Sequence, residues 1–112
     1  NNFADTDRQK VAERIGSSNL VRFHPGYFPE SAAGFNEPLA LVNIDVDLYL
    51  PTKAGLDFFY RQLSPGGVIF VHDYHQKWPG IIRAVNEFTA SVPEVPLFLP
   101  DLHGTVMIVR NR

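Results

Sequence analysis

The chain has 112 residues, ten of them basic and twelve acidic, for a net charge of −2, and it carries no cysteine. The missing basic excess argues against a nucleic-acid partner held by its phosphates, and the missing cysteines exclude disulfides and thiolate metal sites. Hydrophobic residues make up 45% of the chain, enough for a folded core. No apolar run approaches the roughly 20 residues that span a bilayer. One domain over 1–112 is expected, in a cytoplasmic protein with no membrane or nucleic-acid partner. Asn1-Asn2-Phe3-Ala4-Asp5 has neither a leader pattern nor an initiating Met, as expected of a chain that begins inside a longer protein.

Thr6 to Ile15 reads as a helix. Thr6 and Gln9 have capping-box spacing, Val11, Ala12 and Ile15 form an apolar stripe, and Gly16 suits the left-handed position after the last turn. Leu20-Val21-Arg22-Phe23 reads as a short strand ended by Pro25-Gly26, and Glu30 to Pro38 as loop or a broken helical turn. Leu39 to Asp45 is the clearest strand, a near-continuous apolar run expected to be covered on both faces. Pro51 to Leu63 reads as a helix, with Leu56, Phe59, Tyr60 and Leu63 on one face. Ser64-Pro65-Gly66-Gly67 is expected to stop it and turn the chain.

Val68 to Val71 is the next apolar strand, ending at His72-Asp73. Pro79 fits the first turn of a further helix. In it Ile82, Val85 and Phe88 face one way, and Arg83 and Glu87 pair at i, i+4. Val95 to Leu99 and Thr105 to Val109 then form an antiparallel hairpin across Pro100–Gly104. This alternation predicts a mainly parallel α/β sheet, partial and Rossmann-like, with a C-terminal antiparallel hairpin. Ligands of such sheets bind at the carboxyl ends of the strands. That rule selects Pro25-Gly26-Tyr27, Asp45-Val46-Asp47 and His72-Asp73-Tyr74.

Asp45 and Asp73 each follow an apolar strand. If the strands are neighbours, both carboxylates face one crevice, where two or three oxygen ligands open to water suit Mg²⁺. A metal there can hold two adjacent substrate oxygens and acidify a hydroxyl, and Asp45 can accept that proton directly. The ordinary alternative is that Asp ends strands by accepting turn and helix N–H groups. His72 is either a third ligand or a hydrogen-bonded strand-end residue. Tyr74 and His75 are candidate substrate contacts. His75 is equally readable as a solvated loop residue, and Trp78 as a pocket wall or a packing aromatic. Gly66-Gly67 precedes a strand, so it is no phosphate cradle.

Leu41 to Thr52 (LVNIDVDLYLPT) resembles the LDxDxYxST segment of macrocin O-methyltransferase-like (TylF-type) enzymes. Leu63 to Tyr74 (LSPGGVIFVHDY) resembles their LSPGGxxxxDDY, and Trp78 to Phe88 is similar to the element that follows. The resemblance implies a class I methyltransferase sheet with an antiparallel last strand. It also implies S-adenosylmethionine as methyl donor, a divalent metal, Mg²⁺, and a small-molecule hydroxyl as acceptor. Asp45 matches the metal-binding and catalytic Asp, Asp73 the second Asp of DDY, and His72 stands where the first is expected. Gly26, Tyr27 and Phe28 match the turn that contacts the adenine edge.

No GxGxG-like turn occurs in the chain, and in these enzymes that turn holds the methionine and ribose. The isolated chain is therefore expected to bind S-adenosylmethionine weakly and to be inactive alone. It is further expected to lack an N-terminal segment or to form a homo-oligomer through open strand edges. A non-catalytic, dimerising remnant of such an enzyme is the second reading. A DxD phosphatase with Asp45 as nucleophile and Asp47 as acid/base is a third. A receiver domain would need an acidic pair after its first strand and a Lys after its last, and the chain has neither.

Overall fold

The computed structural model describes residues 8–16 and 19–111. The chain forms two compact units, 1–33 and 34–112.

In the first unit α1 spans Arg8–Ile15, and Thr6, the expected capping residue, lies outside the described residues. Gly16 has φ +77° and donates its N–H to Ala12 O at 3.1 Å, closing the helix as its sequence position predicts. The expected strand Leu20–Phe23 does not form. The segment is turn and irregular backbone, and Leu20 is 84% exposed. Composition alone does not make a strand, which forms only against a pairing neighbour. A single 3₁₀ turn at Glu30–Ala32 fills part of the stretch read as a broken helical turn.

The second unit holds a four-stranded sheet in the order β1-β2-β4-β3. The strands are β1 (Leu39–Ile44), β2 (Leu63–Val71), β3 (Leu97–Phe98) and β4 (Val106–Val109). β1 and β2 are parallel and adjacent, with Val42 opposite Ile69 and Ile44 opposite Val71. β4 is antiparallel to both β2 and β3, so three strands run one way and β4 alone runs against them. The Ser64–Gly67 segment does not turn the chain but belongs to β2. It is kinked where Gly66 N–H reaches Arg110 O at 2.7 Å and Gly67 O accepts Arg110 N–H at 2.9 Å.

Two helices connect the strands, α2 (Tyr49–Tyr60) and α3 (Pro79–Thr89). Leu56 of α2 and Ile81, Val85 and Phe88 of α3 join one core with Val42, Ile44, Ile69, Val71, Val106 and Ile108. Alternate strand residues share a face, so both helices cover the same side of the sheet. The apolar run of β1 is therefore not covered on both faces as expected: Val42 and Ile44 are buried, whereas Leu41 is 57% exposed and Asn43 is exposed. The expected Arg83–Glu87 pair is present, at 3.1 Å.

Candidate functional site

β1 and β2 end side by side, and the register is carried one step further by His72 N–H donating to Ile44 O at 3.0 Å. Beyond that point the chain turns toward α2 on one side and toward α3 on the other. Each turn contains an aspartate in the left-handed region, Asp47 at φ +62° and Asp73 at φ +65°. Asp and Asn tolerate this conformation better than most residues, because their short polar side chains can bond locally. Such backbone persists where the surroundings over-determine it, and it clusters at functional sites.

These turns bring three carboxylates together. One oxygen each of Asp45, Asp47 and Asp73 lies within 4.8 Å of the others. Asp45 and Asp47 are exposed and Asp73 is half-buried. Burial pushes the Asp73 carboxyl above its ordinary value. A hydrogen bond with Asp47 and the charges of Asp47 and Asp45 push the same way, and His103 partly opposes them. The crevice therefore carries concentrated negative charge. Three hard oxygen donors opening to water fit a divalent cation of the Mg²⁺ or Ca²⁺ kind, which binds carboxylates and keeps part of its water shell.

His72 stands apart from this group. Its Nε2 lies 2.6 Å from Asn43 Oδ1 and its Nδ1 3.5 Å from Thr105 Oγ1, so its ring is held across the sheet from β1 to the foot of β4. Asp47, read from sequence as part of the strand-end stretch Asp45-Val46-Asp47 and as a phosphatase acid/base, joins Asp45 and Asp73. Tyr74 donates its hydroxyl to Asn86 Oδ1 at 2.8 Å and packs its ring 5.2 Å from that of Phe98. Gly26, Tyr27 and Phe28 belong to the first unit, where Gly26 has φ +122° and Tyr27 O accepts Ser31 N–H at 2.8 Å.

Asp73 also lines a cleft of about 240 Å³ with His75, Lys77, Trp78, Leu102 and His103. Two short loops shape it. His75 Nδ1 accepts Lys77 N–H at 3.2 Å and His75 O accepts Trp78 N–H at 2.8 Å. On the other side Asp101 Oδ1 accepts the N–H groups of Gly104 at 2.8 Å and Thr105 at 3.0 Å. Gly104 O in turn accepts Tyr74 N–H at 2.8 Å, which fastens the hairpin loop to the Asp73 turn. Lys77, Leu102 and His103 escaped the sequence reading. The signal for the last two was the short hairpin link, which carries its loop back to the carboxyl ends of the strands.

Residues 12–105 match the macrocin-O-methyltransferase (TylF) family. Over 64 residues, 55% of this chain, it is 40% identical to the 8-demethyl-8-(2,3-dimethoxy-alpha-L-rhamnosyl)-tetracenomycin-C 4'-O-methyltransferase of Streptomyces olivaceus, covering 24% of that protein. Over 70 residues, 61% of this chain, it is 40% identical to the mycinamicin III 3''-O-methyltransferase of Micromonospora griseorubida, covering 26% of it. The chain thus matches about a quarter of the length of these relatives. Among solved structures, the O-methyltransferase NovP superposes with a TM-score of 0.80 at 29% identity, over 94% of this chain and 43% of NovP. CalS11, a TDP-rhamnose 3'-O-methyltransferase of calicheamicin biosynthesis, gives 0.55 at 27% identity, over 64% of this chain and 31% of CalS11. A methyltransferase from Pyrococcus furiosus, 13% identical, shares the fold with a TM-score of 0.61, over 93% of this chain and 56% of its own. The chain belongs to the macrocin O-methyltransferase family, and its sheet is a methyltransferase sheet rather than that of a phosphatase or a receiver domain.

Proposed function

From this family membership we propose that the chain forms the acceptor and metal side of an S-adenosylmethionine-dependent O-methyltransferase acting on a sugar hydroxyl. The observation that carries the proposal is the meeting of Asp45, Asp47 and Asp73 at the carboxyl ends of β1 and β2, beside a cleft. The sugar acceptor follows from the rhamnosyl and TDP-rhamnose acceptors in the names of two relatives.

In this reading Asp45, Asp47 and Asp73 hold the divalent cation, which when bound lowers the pKa of a hydroxyl oxygen it contacts. S-adenosylmethionine supplies the methyl group. Asp45, at the open end of β1, accepts the hydroxyl proton. The cleft has room for a sugar ring and sets it beside the carboxylates. Trp78 offers it an apolar wall, and His75, Lys77 and His103 offer it polar contacts. Fixing an acceptor oxygen in line with the methyl group is worth several orders of magnitude in rate.

The test is methyl transfer from radiolabelled S-adenosylmethionine to a rhamnosylated acceptor by the whole protein that carries this chain. Asp45→Asn keeps the shape and removes a charge and a proton acceptor. Transfer should fall roughly a hundredfold or more, the usual weight of a positioned base, with little change in cofactor affinity. Full activity in Asp45→Asn, or full activity after exhaustive chelation, refutes the assignment.

A further inference from the structure

Each acid-bearing turn runs directly into a tyrosine, and both tyrosines reach the same place. Tyr49, two residues after Asp47, donates its hydroxyl to Glu87 Oε1. Tyr74, next to Asp73, donates its hydroxyl to Asn86 Oδ1 at 2.8 Å. Asn86 and Glu87 are consecutive residues of α3. Arg83 completes the arrangement, with its Nε 3.1 Å from Glu87 Oε2 and its guanidinium carbon 4.2 Å from the centre of the Tyr49 ring. The start of α3 is pressed against the same turn, since a Cβ on Gly80 would lie 3.1 Å from Tyr49 Cβ.

We propose that Asn86 and Glu87 form a positioning bracket that sets the spacing of the Asp47 and Asp73 carboxylates through Tyr49 and Tyr74. Two left-handed aspartates in separate turns hold their geometry only if something beyond each turn fixes it. The sheet holds the turns at their strand ends, and α3 holds both at their far ends. The two tyrosine bonds are solvent-accessible, so each adds little to global stability. Their consequence is local, in where the carboxylates stand. As a bracket for a metal-holding cluster the proposal rests on the function proposed above, whereas as a bracket for two turns it does not.

The test compares Tyr49→Phe, Tyr74→Phe, Glu87→Leu and Glu87→Gln in the chain as it stands. Amide hydrogen exchange is followed by mass spectrometry in EDTA, and Mn²⁺ alone is then titrated by electron paramagnetic resonance. Tyr74→Phe should speed exchange in 72–76, and Tyr49→Phe and Glu87→Leu in 45–52, by roughly twofold to tenfold, the weight of one hydrogen bond. Mn²⁺ affinity should fall by roughly threefold to tenfold, at or below the usual effect of altering an outer partner of a metal ligand. Glu87→Gln keeps an acceptor for Tyr49 and should restore both readouts. Unchanged exchange in both turns overturns the bracket, as does faster exchange spread over the whole chain. Local loosening in a chain that takes up no Mn²⁺ upholds the bracket and removes the metal reading instead.

Discussion

Asp47→Asn separates what the acid cluster does for binding from what it does to the fold. The substitution keeps the side-chain shape, and Asn tolerates the left-handed φ of +62° as well as Asp does, so no backbone penalty enters. What changes is charge. The Asp47 oxygen lies within 4.8 Å of oxygens from both Asp45 and Asp73. Two unit charges at that distance repel by about 0.9 kcal/mol in water. Screening over a Debye length of about 8 Å reduces this to about 0.5 kcal/mol per pair. Asp47→Asn removes two pairs, so the metal-free protein should gain about 1 kcal/mol at pH 8. For a domain of this size that raises the melting temperature by roughly 4 °C or more. With Mg²⁺ the order reverses. A protein at a hundred times its Kd in ligand gains about 2.7 kcal/mol, and a site reduced to two carboxylates forfeits most of that. The assay is scanning calorimetry in EDTA and in graded MgCl₂ at constant ionic strength. A variant that melts below the parent in EDTA, or that gains as much from Mg²⁺, would refute the reasoning.

Two further substitutions probe the frame around the site. Glu94 is 6% exposed and accepts hydrogen bonds from Tyr60 Oη at 2.5 Å and Asn111 N–H at 3.1 Å. Burial pushes its carboxyl up, but these bonds and the Arg110 charge outweigh it and hold the group below its ordinary 4.5. An acid depressed in the fold contributes stability that is complete above 4.5 and is lost as pH falls through the lower folded value. Urea midpoints measured from pH 6 to pH 3 should therefore fall less steeply in Glu94→Gln, and an equal or steeper fall contradicts the assignment. Gly104→Ala places a Cβ at φ +75°, against the Tyr74 carbonyl. The left-handed backbone and the collision together should cost about 1–3 kcal/mol, read as a lower denaturation midpoint. A loss below about 0.5 kcal/mol would mean that the hairpin loop yields easily.

The parts of the fold legible in the sequence are those whose partners lie within the chain. β1, β2, α2, α3 and β4 each bury a face against one another, so their apolar periodicity reports a packing that exists, and Pro79 opens α3 where it should. Boundaries moved where backbone bonds outvoted side-chain signals. The Ser64-Pro65-Gly66-Gly67 stretch has turn composition, yet the Gly66 and Gly67 bonds to Arg110 carry it into the sheet. Leu20–Phe23 has strand composition and no strand, because pairing is a property of two segments and composition describes one.

At the site, Asp45 and Asp73, read from the sequence as facing one crevice, do meet, and Asp47 joins them. Strand alternation does not pick this group, because β1 and β2 end at Ile44 and Val71 and continued alternation would set His72, not Asp73, on the face of Asn43 and Asp45. His72 follows Phe70 on the face shared with Asn43, and the 2.6 Å contact with Asn43 holds it there. Asp73 is released from the alternation only by its own left-handed turn. Asp47 likewise reaches the group from a left-handed turn beyond the end of β1. The turns after β1 and β2, rather than the strands themselves, bring the three carboxylates together, and apolar periodicity carries no record of turn geometry.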